Sequence, residues 1–117
     1  MENEFKINMY EVLKTRIPAG RTSSEDCLGG DTIRNLIEEN WDKYEKISVF
    51  FEGIVKMTRP FVDEAFAKLL EKRSLEEFNK KMHFPDANDP FVKALNDAFK
   101  LRLKILRAQR EREDAKA

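Results

Sequence analysis

The segment that most constrains the fold is residues 47–51, which is apolar on both faces when the chain is extended. Ile47 and Val49 point to one face and Phe50 to the other, and these residue types favour strands. A strand that is apolar on both faces is typical of the centre of a sheet that is covered on both sides. We therefore expect residues 47–51 to form the central strand, with a turn at Gly53 directly after it.

Other segments predict the neighbours of this strand. Residues 4–10 alternate between apolar and polar side chains, with Phe5 and Ile7 on the same face, which predicts a half-buried strand. A second, short extended piece is predicted over residues 12–17. Residues 82–84 predict another strand, ended by the proline that follows.

A first helix is predicted to begin after Gly29-Gly30, with the Asp31 carboxylate as its N-cap. Its apolar stripe is formed by residues at helical spacing: Ile33, Leu36, Ile37, Trp41 and Tyr44. We therefore expect an amphipathic helix that packs this stripe against the sheet.

Three further helices are predicted from capping residues that precede apolar residues at helical spacing. Thr58 and Pro60 begin an amphipathic helix that continues to Leu70. Ser74 caps a short helical turn, and Asn88 caps the last helix of the chain.

Strand and helix signals that alternate in a chain of 117 residues predict one domain of the α/β class. We expect a single small mixed sheet with helices packed on it and a long C-terminal helix that runs to about Arg112. Residues 1–109 form the predicted domain. Residues 110–117 are charged, have no apolar face and are expected to fray.

The composition limits the classes of binding partner and the cellular compartment that we expect. The 22 basic and 22 acidic side chains leave a net charge of +0, so no overall field attracts nucleic acid or an anionic membrane. The single cysteine excludes an intrachain disulfide. The acidic start of the chain is unlike a signal peptide, and no apolar run approaches the length of a membrane span. We therefore expect a cytoplasmic protein.

No catalytic residue, metal site or cofactor is predicted. Cys27 and His83 are the chain's only thiol and imidazole, and no signature joins them to an orienting acid. A zinc site needs about four ligands, which these two residues do not supply. Gly29-Gly30 lacks the spacing and the lysine of a phosphate-binding loop, and Asp31 adds negative charge there.

The last helix carries a local excess of cations: Lys93, Lys100, Arg102, Lys104, Arg107, Arg110 and Arg112. Acidic residues return towards its end, so the charges favour a solvated or dimerising helix over a nucleic-acid-binding one. Four apolar residues of this helix lie closer together in the sequence than one narrow helical face requires: Leu101, Leu103, Ile105 and Leu106. Some of this surface could contact a second copy of the chain.

Several segments resemble one known family. Residues 49–54 are similar to the central strand and signature turn of STAS domains. Residues 57–66 resemble the STAS-like branch, with a small polar pair, Phe61, an aliphatic residue, two acids, and a small residue before Phe66. Residues 18–21 also resemble that branch. Over about residues 5–101 the chain is therefore similar to the bacterial STAS-like family, which is related to anti-sigma-factor antagonists.

The resemblance implies a non-enzymatic interaction module that docks on a protein partner, such as a GHKL-type ATPase or an anti-sigma kinase. The implied contact residues lie at the strand-to-helix corner: Thr58, Arg59, Pro60, Phe61, Asp63 and Glu64. In the antagonists a serine at this corner is phosphorylated, which blocks docking. Here the family's serine pair falls on Arg59 and Pro60, and Thr58 is the neighbouring hydroxyl that could be modified.

Two alternatives to this function stay open. The first is a structural homodimer that pairs through the C-terminal helix. The second is a nucleotide-binding or minor enzymatic role, which requires a ligand pocket that the sequence does not locate.

Overall fold

The structure, a computed structural model, describes residues 3–25 and 27–115 together with the backbone of Lys116. The elements follow one another as β1 (Glu4–Asn8), α1 (Met9–Leu13), α2 (Gly30–Asn40), β2 (Lys46–Phe50), α3 (Arg59–Ala65), a 3₁₀ helix (Ala67–Glu71), α4 (Leu75–Lys81), β3 (Met82–His83) and α5 (Asp89–Lys116).

β2 lies in the middle of a three-stranded sheet, between β1 and β3. Both pairings are parallel, with Phe5 opposite Ile47 and Ser48 opposite His83. Ile47, Ser48 and Val49 are fully buried, so both faces of β2 are covered. The predicted α/β class, the central strand and the long C-terminal helix are confirmed, but the two pairings are parallel where a mixed sheet was expected.

The chain turns into a helix where the sequence predicted that extended structure continues. β1 ends at Asn8, whose side-chain oxygen accepts a hydrogen bond from the Glu11 amide at 3.0 Å and caps α1. Lys14 ends α1 with a φ of 57°. The extended piece predicted over residues 12–17 does not form a strand, because this side-chain cap favours a helical turn over the alternating pattern.

α2 begins at Gly30, and Asp31 does not cap it, contrary to the prediction. The Asp31 carboxylate accepts hydrogen bonds from the Ser23 amide at 3.1 Å and from the Ser23 hydroxyl at 2.6 Å. Burial raises the pKa of the Asp31 carboxyl, but the bonds from Ser23 outweigh it and leave this pKa below its ordinary value. Asp31 therefore anchors the preceding polar loop to α2.

α3 has the predicted start but a different end. Thr58 is its N-cap, and Pro60 lies in its first turn, as the sequence predicted. The helix ends at Ala65 and does not continue to residue 70, because Phe66 leaves helical geometry with φ −125° and ψ −51°. The Phe66 ring packs edge-on against Phe84 with ring centres 5.5 Å apart, a contact that no local pattern reveals.

The two remaining helix starts are confirmed. Ser74 accepts a hydrogen bond from the Glu77 amide at 3.1 Å, and the Glu77 side chain accepts one in return from the Ser74 amide. The Asn88 side chain accepts from the Phe91 amide at 3.1 Å. α5 continues beyond its predicted end because most of residues 107–116 are good helix formers, although residues 107–115 are exposed. The fraying of residues 110–117 stays a prediction.

Aromatic rings fill the core between the sheet and the helices. Phe61, Phe66 and Phe78 are almost completely buried, and Phe78 packs against Phe99 of α5 with ring centres 4.9 Å apart. This contact joins α5 to α4, and α5 also packs beside the 3₁₀ helix and α3. Within the described residues, no helix combines the length and the apolar character that crossing a bilayer requires.

Candidate docking site

The chain leaves β2 through a tight corner that leads into α3. Gly53 has a φ of 90°, which favours glycine, and a Cβ there would lie 3.0 Å from the Tyr10 ring. The Arg16 guanidinium stacks on the Tyr10 ring and donates to the Gly53 carbonyl at 3.3 Å. Asp86 accepts hydrogen bonds from two backbone amides at the end of β2. The corner is therefore held from several sides.

The segment between Gly53 and α3 is fixed by the loop that follows α1. The Val55 amide donates to the Arg16 carbonyl at 2.8 Å, and the Thr58 amide donates to the Pro18 carbonyl at 3.2 Å. The side chains of Ile17 and Val55 remain 54% and 67% exposed. The backbone here is held in place while two apolar side chains face outward.

The Thr58 hydroxyl is used by the fold. Its oxygen accepts a hydrogen bond from the Phe61 amide at 3.3 Å and donates to the Ala19 carbonyl at 2.5 Å. A phosphate on this oxygen would disrupt the bond to Ala19 and crowd the start of α3. The phosphorylation of Thr58 stays a prediction, with this structural consequence.

The three residues after Thr58 differ in their exposure to solvent. Arg59 and Pro60 are exposed on the first turn of α3. Phe61 is 0% exposed, so the prediction that its side chain contacts a partner is wrong for this structure. The reason is the helical period, which turns Phe61 towards the core while Arg59 and Pro60 face outward.

Asp63 joins three parts of the chain. Its carboxylate accepts hydrogen bonds from Arg102 of α5, at 3.0 Å from Nε, and from Arg21 of the polar loop at 2.6 Å. Burial raises the pKa of the Asp63 carboxyl, but these two guanidinium groups outweigh it and hold the pKa below its ordinary value. The pKa of Arg102 is raised by the same contact. Asp63 therefore holds α5 and the loop against α3.

Glu64 performs the corresponding role towards α2. Its side chain is 8% exposed and contacts Arg34 of α2 and, at 3.0 Å, Lys68. Burial raises the pKa of the Glu64 carboxyl, yet the bonds from Lys68 and Arg34 lower it below the ordinary value. Each of the two carboxylates is therefore paired with cations inside the fold, and the predicted contact of Asp63 and Glu64 with a partner stays a prediction.

A groove of about 430 Å³ lies between the start of α3 and the middle of α5. It includes three of the predicted contact residues, Arg59, Pro60 and Asp63. The groove is lined by Arg21, Arg59, Pro60, Asp63, Asp97, Ala98, Lys100, Leu101, Arg102 and Ile105. The sequence therefore predicted one wall of the groove and missed the other.

Cys27, His83 and the start of α2, for which no catalytic, metal or phosphate site was predicted, lie as follows. Cys27 is exposed in the loop before α2, and the His83 ring lies beside the Lys80 carbonyl. Within the described residues, no group of three or more His, Cys, Asp or Glu side chains is arranged to hold a metal ion. The first amides of α2 donate to the carbonyls of Gly20 and Arg21, so they do not face an open anion site.

The cations that hold the two carboxylates were missed from the sequence. Lys68 follows Glu64 by four residues, a spacing that could have revealed the pair. Arg21, Arg34 and Arg102 lie between 30 and 42 residues from their partners. Such pairings depend on how the helices pack, so no local signal could have found them.

A protein-family model described as "STAS-like domain of unknown function (DUF4325)" matches residues 29–91. Comparisons with curated proteins and with solved structures find no match. The matched segment extends from the start of α2 to the first turn of α5 and includes the corner and α3. It makes up more than half of the 117-residue chain. The chain therefore belongs to the STAS-like domain family.

Proposed function

We propose that the protein is a non-enzymatic regulatory module that docks on another protein through the corner before α3. We define the corner surface as the exposed side chains of Ile17, Val55, Arg59 and Pro60. Membership of the STAS-like family favours a regulatory or interaction module of this kind. The proposal keeps Arg59 and Pro60 from the sequence analysis and replaces Phe61 with residues that are accessible.

The observation that carries the proposal is a rigid backbone that displays exposed apolar side chains. Loop segments fixed by backbone hydrogen bonds lose little conformational entropy when a partner binds. Val55 and Ile17 are among the most exposed large apolar residues of the described chain, and they are brought together by the bond between Val55 and Arg16. Apolar side chains held outward in this way favour contact with another protein.

The class of partner follows from the resemblance. A GHKL-type ATPase or an anti-sigma kinase is the partner that the anti-sigma-factor antagonists suggest. The corner surface supplies three apolar residues and the Arg59 guanidinium, which suit a partner surface that is apolar with an acidic rim.

The test is affinity purification of the full chain from its native cells, followed by mass spectrometry. We expect Val55→Asp and Arg59→Glu to abolish capture of partners retained by the wild type. Val92→Asp and Arg110→Glu are matched controls, because both positions are exposed on α5 outside the corner surface. Unchanged capture by both corner variants would remove this surface as the docking site, and the same spectra report whether Thr58 is phosphorylated.

The homodimer alternative has less apolar surface than the sequence suggested. Leu103 and Leu106 are half-buried and pack on the core, whereas Leu101 and Ile105 line the groove. A light-scattering mass equal to one chain at high concentration would remove this alternative. A reproducible thermal shift with nucleotides would instead support the ligand-binding one.

A further inference from the structure

We propose that the groove between α3 and α5 binds an acidic segment of the partner protein that inserts one aliphatic or aromatic side chain. This inference rests on the proposed docking function and names the chemistry of the partner. Most of α5 lies beyond residues 29–91, so its wall of the groove belongs to this chain and not to the segment shared with the family.

The apolar part of the groove comes from both helices. Pro60 contributes from α3, and Ala98, Leu101 and Ile105 contribute from α5. Leu101 is 53% exposed although it lies on the wall of a concave surface. A volume of about 430 Å³ is within the range of about 300–1,000 Å³ that encloses a ligand or a small set of side chains. Covering Leu101 with a partner side chain would remove apolar area from water.

The charge of the groove decides which flanking residues fit. Asp63 is neutralised by Arg102 and Arg21, and the Asp97 carboxylate lies 2.8 Å from the Lys93 ammonium. Among the described residues, Arg59 and Lys100 form no salt bridge. The Asp97 carboxylate also attracts Lys100 and Arg59, but the lining still holds four cations (Arg21, Arg59, Lys100, Arg102) against two carboxylates. This excess of positive charge beside an apolar wall matches carboxylates placed next to an apolar side chain.

The exposed end of α5 from a second copy of the chain matches this groove less well. The exposed end of α5 carries cations and carboxylates together, including Arg110, Glu111, Arg112 and Glu113. It has no large apolar side chain after Leu106 to insert between Pro60 and Leu101. A separate acidic segment with an apolar residue satisfies both the charge and the shape of the groove.

The experiment selects peptides from a random display library on the full chain, with counter-selection on the Lys100→Glu/Leu101→Asp double variant. We expect the selected peptides to share an aliphatic or aromatic residue flanked by Asp or Glu. A synthetic peptide of this consensus should bind about tenfold more weakly to each single variant, Lys100→Glu or Leu101→Asp. Its affinity should also fall by about threefold or more when salt is raised.

Matched substitutions control for folding and for general charge effects. Arg110→Glu and Val92→Asp are the controls for Lys100→Glu and Leu101→Asp, because both positions are exposed on the same helix outside the groove. These controls should leave peptide affinity within about twofold of the wild type. No enrichment, a basic consensus, or equal binding to the groove variants would overturn the proposal. A dimer mass that Leu101→Asp abolishes would assign the groove to a second copy and also overturn it.

Val55→Asp separates this inference from the proposed function. Capture of the native partner that depends on Val55 but not on Lys100 or Leu101 would keep the corner surface and reject the groove. Groove-dependent peptide binding, with partner capture indifferent to Val55, would keep the groove and reject the corner surface. Indifference of both readouts to all three substitutions would reject both proposals.

Discussion

α3 meets α2 on one side and α5 on the other, and the two contacts differ in how closely the helices approach. On the α2 side, a Cβ at Gly30 would lie 2.8 Å from the Glu64 Cβ and 2.8 Å from the Phe61 carbonyl oxygen. On the α5 side, Arg102 reaches across to Asp63, and the groove remains open beside it. One helix therefore makes a closed contact and an open contact at once.

The difference shows how one short helix can serve both stability and binding. Consecutive helical residues point about 100° apart, so neighbouring carboxylates can hold different helices. Glu64 holds α2 within the family-matched segment, and Asp63 holds α5, most of which lies outside it. The closed side leaves no room for a Cβ at Gly30, whereas the open side leaves a groove whose second wall is formed by α5.

The largest expected effect comes from adding a methyl group on the closed side. Gly30→Ala should lower the free energy of unfolding by about 2–3 kcal/mol, because α2 and α3 have no room for a Cβ. Gly20→Ala is the control, since its Cβ would make only an ordinary contact at 3.8 Å and should change stability by less than about 1 kcal/mol. Urea denaturation measures both. Equal midpoints would show that the α2 side is not closed.

A smaller effect is expected on the open side, where one guanidinium spans the gap. Arg102→Met should lower the free energy of unfolding by about 1–2 kcal/mol, because it leaves Asp63 with Arg21 as its remaining partner. The side chain of Arg102 is 13% exposed, so solvent compensates little. Arg110→Met, at an exposed position, should change stability by less than about 0.5 kcal/mol. If both variants changed the free energy of unfolding equally, the contact between Arg102 and Asp63 would not be what stabilises the packing of α5.

The contact of α3 with α2 and its contact with α5 should both weaken at low pH. The pKa values of Asp63 and Glu64 lie below their ordinary values of 3.8 and 4.5, so both carboxylates favour the folded state above those values. As the pH falls, the unfolded chain binds protons first, and this stabilisation is lost by the time the folded carboxyls are protonated. Urea denaturation between about pH 6 and pH 3 should show falling stability, less steeply in Asp63→Asn. An unchanged slope in that variant would contradict this account.

The smallest effect is expected from the end of α5. Deleting residues 110–117 should change the free energy of unfolding by less than about 0.5 kcal/mol, because the described side chains from residue 110 onward are exposed and do not line the groove. Hydrogen exchange in the full chain should show rapid exchange there and slow exchange near Phe99. A larger loss on truncation would place the domain boundary beyond residue 109.

Local patterns predicted several parts of the fold. The run around Val49 identified the buried central strand, and the side chains of Thr58, Ser74 and Asn88 identified three helix starts. The helix starts could be predicted because the hydrogen bonds that cap them join residues three positions apart in the chain. The helix start at Asn8 obeys the same rule, but the alternating pattern around it concealed the cap.

Half of the candidate site was predicted from the sequence. Arg59 and Pro60 were assigned to the contact and are exposed, whereas Phe61 was also assigned to it and lies in the core. The apolar excess in the last helix was noticed, but its division between the core and the groove was not. A sequence shows that a side chain is apolar and does not show what it faces once helices pack.

By itself the sequence determined the order and type of most elements, because periodicity and capping act within a few residues. Only the tertiary structure decided what Asp63 and Glu64 bind and where the groove lies. Their partner cations Arg21, Arg34 and Arg102 are distant in the chain, and they meet the two carboxylates only when the polar loop, α2 and α5 pack on α3. Pairings of this kind follow from the relative placement of helices, which short-range interactions do not encode.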